Sequence, residues 1–220
     1  MSREASSLSS RVVKAEFSAG AATLRELPPP VSLEVAFAGR SNVGKSSLVN
    51  CLLSRRNLVR VSGTPGCTRR IGFYATELAD GATLSMVDLP GYGFARRSKQ
   101  ERKDWGELIE GYLLGRATLR AVVIIVDVRR GLEPDDADLF ELCASPARVS
   151  RPKLETVLVA TKLDKVVLSK QKLALAELEA RAKRRALGFS SETGEGRERL
   201  WRKLRDLLSL SVSPELKEPR

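Results

Sequence analysis

The chain has 220 residues, 42% of them hydrophobic, with a formal net charge of +11 and no histidine. That length and apolar fraction suit one large α/β domain with a full core, and the missing histidine excludes a histidine base or histidine metal ligand. The basic excess points to polyanionic partners, nucleic acid first, although a solvated basic surface without a partner has the same composition. Cys51, Cys67 and Cys143 are odd in number and widely spaced. They form no disulfide framework or zinc pattern, which suits a reducing, cytoplasmic location. Residues 1–11 are polar and serine-rich, unlike a secretory signal. The strongest apolar run, Ala121 to Val126, is far too short to cross a membrane.

In chain order, residues 1–27 read as an N-terminal extension, partly disordered. Within it Val12–Leu24 fits either a strand or a helix packed on the core. Pro28-Pro29-Pro30 is a stiff break leading into the main domain, expected over 28–210, with 211–220 as a tail. Leu33–Ala38 is expected to be a buried strand. Then come Gly39, Arg40, Ser41, Asn42, Val43, Gly44, Lys45 and Ser46, which spell G-x-x-x-x-G-K-S. Ser47 opens an apolar-periodic run, so a helix is expected over Gly44–Leu53. Strand, glycine loop and helix start are what phosphate binding needs. Backbone N–H groups and the helix dipole face the phosphates, Lys45 reaches the β- and γ-phosphates, and Ser46 places a hydroxyl on Mg²⁺.

Asn57–Arg70 is a polar loop. In it Gly66 and Thr68 are candidate nucleotide contacts, with Thr68 completing the Mg²⁺ shell when a γ-phosphate is present. Gly72–Leu78 and Thr83–Val87 are two strands joined through Asp80-Gly81, a hairpin signal. The second ends in Asp88, Leu89, Pro90 and Gly91. The carboxylate there holds Mg²⁺, and the glycine lets an N–H approach the γ-phosphate. Gly91–Lys103 is a second basic loop and Trp105–Leu114 a helix. Leu119–Asp127 is a central strand, and Pro134–Cys143 a helix with acidic residues in its first turn. Thr156–Ala160 is a strand followed by Thr161, Lys162, Leu163 and Asp164. A carboxylate at Asp164 can accept both N1–H and the exocyclic amine of guanine, a donor pair adenine lacks. The Lys162 stem can lie on the purine face. Ser169–Ala186 is a long helix and Gly188–Ser190 a short last strand. Ser190, Ser191 and Glu192 can close over the base carbonyl, and Glu195–Leu208 is the closing helix. Alternating strands and helices imply a mostly parallel sheet covered on both faces, with ligands beyond the carboxyl ends of its strands.

The ordered strings GRSNVGKSS, PGCTR, DLPGYGFA, TKLD and SSETGEG resemble the EngB (YihA/YsxC) ribosome-biogenesis GTP-binding proteins, translation-factor-like P-loop GTPases, over roughly Phe17 to Leu208. The resemblance implies a six-stranded GTPase domain and Mg²⁺-dependent binding of GTP and GDP. It also implies a role in late assembly of the large ribosomal subunit, and a link to cell division and septation. It assigns catalytic parts to Lys45, Thr68 and Gly91, and the metal to Ser46, Thr68 and Asp88. Two positions depart from the commoner GTPase pattern. Thr161 stands where many have asparagine, and its hydroxyl can still bridge to the phosphate loop. Tyr92 stands where many have the glutamine that orients water, so unaided hydrolysis is expected to be slow. Asn42 matches a phosphate-loop asparagine that related GTPases use to hold K⁺; bracing the loop is the equal alternative.

Arg55, Arg56, Arg60, Arg69 and Arg70 crowd the first loop, and Arg96, Arg97, Lys99, Arg102 and Lys103 the second. GTP-ordered loops of this charge are expected to face ribosomal RNA, and the protein is expected to be a monomer with no membrane partner. Lys183-Arg184-Arg185 and Arg199, Arg202, Lys203 and Arg205 form a further basic set near the end of the chain. For Lys183–Arg185, a solvated helix face and RNA contact remain equal readings. Two other functions stay open: an RNA-binding module whose nucleotide is structural, and a P-loop kinase, in which T-K-x-D would have no part.

Overall fold

The computed structural model describes residues 10–59, 70–93 and 99–210. Seven strands form one sheet: β1 (Val12–Ala21), β2 (Glu34–Gly39), β3 (Ile71–Leu78), β4 (Thr83–Asp88), β5 (Leu119–Asp127), β6 (Glu155–Thr161) and β7 (Ala186–Gly188). Their order is β1-β3-β4-β2-β5-β6-β7. β4, β2, β5, β6 and β7 run parallel, while β3 joins antiparallel to β4 and β1 antiparallel to β3. Five helices flank the sheet: α1 (Lys45–Leu53), α2 (Lys99–Gly115), α3 (Pro134–Ala144), α4 (Leu168–Ala182) and α5 (Arg197–Leu208). None of the described helices is long and apolar enough to cross a membrane.

The alternation of buried side chains explains the layers. Phe37, Val123, Ile125, Val157 and Val159 point to one face, where Leu48 and Leu52 of α1 and Leu200, Trp201 and Leu204 of α5 cover them. Ala36, Val122, Ile124, Leu158 and Ala160 point to the other, against Ile109 and Tyr112 of α2, Phe140 of α3 and Leu178 of α4. β5 is buried on both faces, which is why it reads as an unbroken aliphatic run rather than an alternating one. α5 is the most one-sided helix. Its Leu200, Trp201, Leu204 and Leu208 are buried while Arg199, Arg202 and Lys203 face out. Trp201 is fully buried and its indole N–H donates to the Leu52 carbonyl at 3.2 Å. Its truncation to alanine would cost about 3–5 kcal/mol.

The expected α/β fold is present, with seven strands rather than six. The extra strand is β1, drawn from the segment expected to precede the domain. It is an edge strand with register shifts between Val12 and Lys14 and between Phe17 and Ala19. Those bulges break the two-residue alternation, so its strand signal is weak in sequence. α2 starts at Lys99, six residues before the expected Trp105. That first stretch is charged and lacks apolar periodicity; it is supported by a Gln100–Asp104 hydrogen bond of 2.6 Å. α4 ends at Ala182, where Lys183 takes a left-handed φ of 49°. The chain is thereby freed to form β7 two residues earlier than expected.

Candidate nucleotide site

The phosphate loop turns out of the carboxyl end of β2. A Cβ at Gly39 would come within 2.8 Å of the Ile125 carbonyl oxygen, so the loop leaves the sheet through a gap only glycine fits. Gly44, at φ 95°, caps α1, with no side-chain hydrogen bond at the cap and no acidic residue in the first turn. The first N–H groups of α1 therefore face the loop interior with the positive end of the helix dipole, a fit for phosphate oxygens.

Lys45 and Asp88 form a buried ion pair across this cavity. Lys45 is the first residue of α1, and Asp88 ends β4 alongside Phe37 of β2. β2 and β4 are neighbours, so the ammonium and the carboxylate, the expected phosphate and metal contacts, converge on one point. Ser46 follows in the same turn and is half-buried. One carboxylate and one hydroxyl, completed by phosphate oxygens, suit Mg²⁺, which binds few protein oxygens and keeps the rest of its octahedron for substrate and water.

Past Asp88 the chain is fixed from three sides. The Leu89 N–H donates to the Phe37 carbonyl at 3.0 Å, and the Ser41 N–H donates to the Tyr92 carbonyl at 3.1 Å. The Trp105 indole N–H donates to the Pro90 carbonyl at 3.1 Å. Tyr92 does not present its hydroxyl to the phosphate loop. Its ring is buried beside Trp105, and its hydroxyl donates to Asp136 at 2.7 Å, at the start of α3. Burial and the adjacent Asp136 carboxylate push the Tyr92 phenol well above its usual pKa, so it stays a donor. Arg40 joins the same junction. Its guanidinium pairs with Glu133, approaches Asp135 at 3.9 Å and donates to the Gly93 carbonyl at 3.3 Å.

The loop after β6 forms the other wall. The Thr161 hydroxyl lies 2.5 Å from the Val43 carbonyl and 3.1 Å from that of Val126, which ties it to the phosphate loop. Lys162 holds a left-handed φ of 60°, a strained conformation for a lysine. Its ammonium donates to the Asn42 carbonyl at 2.5 Å and pairs with Asp127 at 3.0 Å. Burial raises the Asp127 carboxyl. Hydrogen bonds from Arg129 and Lys162 outweigh it and bring the pKa down to about 2. Asp164 accepts the Ser190 hydroxyl at 2.7 Å, and that bond holds its carboxyl below the usual range. The Thr193 N–H donates to the Ser190 oxygen at 3.2 Å, which ties the serine turn and Asp164 into one unit.

A family model described as "50S ribosome-binding GTPase" matches residues 34–162. The Probable GTP-binding protein EngB of Desulforapulum autotrophicum is 45% identical over 200 residues, covering 88% of this chain and 96% of that protein. The chain belongs to the EngB family. Another EngB relative, from Natranaerobius thermophilus, is 43% identical and matched over its full length, with 90% of this chain covered. Among solved structures, a probable GTP-binding protein engB superposes with a TM-score of 0.60 at 24% identity, covering 81% of this chain and 100% of that one. Era in complex with MgGDPNP and nucleotides 1506–1542 of 16S ribosomal RNA superposes with a TM-score of 0.60 at 23% identity, covering 86% of this chain and 59% of that one. These two likenesses carry the fold. As an EngB-family member the chain is a GTPase.

On this EngB chain the fold brings together the phosphate loop, Asp88 to Gly91, Thr161 to Asp164 and Ser190. Ser191 and Glu192 follow Ser190 in the same turn. Gly66 and Thr68 lie outside the described residues, as do Arg60, Arg69, Arg96 and Arg97. Of the first loop's cations, Arg55 donates to the Val13 carbonyl at 3.0 Å and Arg70 pairs with Glu26 at 3.3 Å. Asn42 is exposed, and among the described residues its side chain has no hydrogen bond. Three contributors escaped the motif reading: Asp127, Asp136 and Glu133. Asp127 carried a visible signal, an acid ending an apolar strand on the rim where ligands sit. The other two sit in Glu133-Pro134-Asp135-Asp136, which marks a helix start and gives no hint of the tyrosine it receives.

Proposed function

We propose that this EngB-family GTPase is a nucleotide-controlled switch in assembly of the large ribosomal subunit, acting in the cytoplasm and needed for normal cell division. The observation that carries the guanine reading is the Ser190–Asp164 bond. It orients a carboxylate kept ionised on the same rim as the phosphate loop, to which Lys162 and Thr161 tie it. Asp164 then accepts the two donors of guanine, and Lys162 lays its stem along the base. Lys45 exchanges the Asp88 carboxylate for phosphate oxygens. Asp88 and Ser46 hold Mg²⁺, joined by Thr68. The ion, when bound, offsets the charge that develops on the transferred phosphoryl group. Tyr92 is engaged with Asp136 and offers no group to orient water, which supports slow unaided hydrolysis. Stimulation then comes from a partner or from K⁺ at Asn42. The ribosomal reading is supported by the description of the matching family model and by the basic excess of the chain.

The test is a change of base specificity together with subunit binding. Asp164→Asn is expected to lose GTP affinity and to gain tolerance for xanthosine triphosphate, because an amide presents a donor to the altered base edge. Unchanged GTP affinity would remove Asp164 from base recognition. Wild-type protein is expected to bind large subunits more tightly with a GTP analogue than with GDP, and less tightly as salt rises. Equal binding in both nucleotide states would refute the switch.

A further inference from the structure

At the end of the sheet away from the nucleotide rim, α5 and the β6–β7 edge enclose an open groove of about 590 Å³. Thr156, Val157 and Leu158 of β6 line it, and the guanine loop follows only after Thr161. From Leu158 to Thr161 is three residues of parallel strand, about 3.3 Å each, so the near end of the groove lies about 10 Å along β6 from the start of the guanine loop. One wall is the outer face of α5, with Arg199, Arg202 and Lys203; the other carries Arg184 and Arg185. Asp206 is the single acidic side chain in the lining.

The disposition of these cations is specific. Arg199, Arg202 and Lys203 fall three and four residues apart, so they stand on one face of α5, roughly 5–6 Å apart at Cβ. Leu200, Trp201 and Leu204 anchor that helix from the opposite side. The remaining charges are partly engaged: Arg199 approaches Glu195 at 3.7 Å, and Arg185 pairs with Glu179 at 3.2 Å. Arg184 stacks over the Phe140 ring at 4.8 Å, which fixes its stem. Among the described residues, Arg202 and Lys203 make no ion pair.

We propose that this groove is a second RNA contact, one that grips the phosphate backbone of a folded, helical RNA whichever nucleotide is bound. The lining chemistry decides between occupants. No aromatic side chain lines the groove, so unstacked bases find no platform, and single-strand binders depend on one. An acidic protein would need apolar anchors; Val157 and Leu158 are 5% and 2% exposed, which leaves the half-buried Leu187 as the one apolar side chain the groove can offer. What the groove does offer is a row of guanidinium and ammonium groups at the spacing of a backbone contact. Only its choice of RNA leans on the ribosomal reading above. The loss it expects is the same in GDP and in a GTP analogue, so failure of the GTP switch would leave it standing.

The experiment measures binding of a 20-base-pair RNA hairpin by fluorescence anisotropy across a salt series, in GDP and in a GTP analogue. The proteins are full-length wild type, R199Q/R202Q/K203Q, and R199K/R202K. The triple glutamine variant is expected to lose at least about tenfold in affinity and to flatten the log K against log salt slope by about two to three units, equally in both nucleotide states. Its GTP affinity is expected to match wild type, which also serves as the folding control. The lysine variant is expected to keep most of the RNA affinity, because phosphate contact needs charge rather than shape. Wild-type affinity and slope in the triple variant would overturn the proposal. So would a loss confined to the GTP form. A third refutation is polyglutamate binding that the triple variant abolishes while hairpin binding persists, since that would assign the groove to an acidic protein.

Discussion

Replacing Tyr92 with phenylalanine removes one hydroxyl and leaves the ring packed against Trp105, with centroids 5.9 Å apart. The lost bond is the 2.7 Å contact to Asp136, whose side chain is 1% exposed and keeps the Glu133 N–H at 2.9 Å as a second donor. A hydrogen bond to a charged group contributes about 1.5–3 kcal/mol net. At about 2–4 °C per kcal/mol for a domain of this size, the Tm of Tyr92→Phe is expected to fall by about 3–12 °C. Burial raises the Asp136 carboxyl, and the Tyr92 bond pulls it back down. Without that bond the pKa climbs further. A carboxyl raised in the folded state lends stability below its unfolded pKa and loses it as pH rises. The deficit of the variant is therefore largest near neutrality and shrinks in acid, which melts at a series of pH values would follow. Hydrolysis per GTP-saturated molecule is expected to stay within about threefold, under ~0.7 kcal/mol of barrier, because the phenol is turned away from the phosphates. A hundredfold fall in hydrolysis at unchanged Tm would show that the hydroxyl reaches the attacking water, and would refute this account.

Lys45→Ala is expected to abolish tight binding of a non-hydrolysable GTP analogue in titration calorimetry. Because it strands the buried Asp88 carboxylate, it is also expected to cost about 3 kcal/mol or more in a urea melt; an unchanged melt would contradict the ion pair. Asp127 is held at about 2 against an ordinary 3.8, so its contribution to stability is full above about pH 4 and is lost as pH falls towards 2. Asp127→Asn is expected to remove that part of the acid unfolding limb and, by freeing Lys162, to weaken GTP binding; an acid limb like that of wild type would contradict this. GTP hydrolysis is expected to run faster in K⁺ than in Na⁺ at equal ionic strength. In Asn42→Ala the difference should vanish while nucleotide binding remains. Equal rates in the two salts, alone and on ribosomal subunits, would dispose of the cation site.

The placement of the candidate site's unbroken strings was readable from sequence, because each is a strand end followed by a loop. Gly39–Ser46, Asp88–Gly91 and Thr161–Asp164 all fall on the rim where alternating strands and helices place them. The links between those strings were not readable. Tyr92 and Asp136 are 44 residues apart, and Lys162 and Asn42 are 120 apart. Only the strand order makes each pair neighbours. Tyr92 shows the limit well. Its position after D-x-x-G suggested a poor substitute for glutamine, yet the side chain turns inward to brace α3. β1 was legible only as strand or helix alike, for a different reason: with one face exposed and two bulges, its sequence has neither period.

The two margins of the sheet share a property that bears on how the protein behaves in a crowded cell. An open strand edge is a row of unpaired amide groups that invites another chain to add on. Here β7 is only three residues long, with Arg184 and Arg185 just ahead of it. β1 is longer, but its bulges interrupt any straight run of amides, and Lys14 and Glu16 place charge along it. Neither margin is a good template for edge-to-edge polymerisation. Short length, bulges and charge at the two margins thereby keep this strongly cationic protein from seeding β-aggregates of itself.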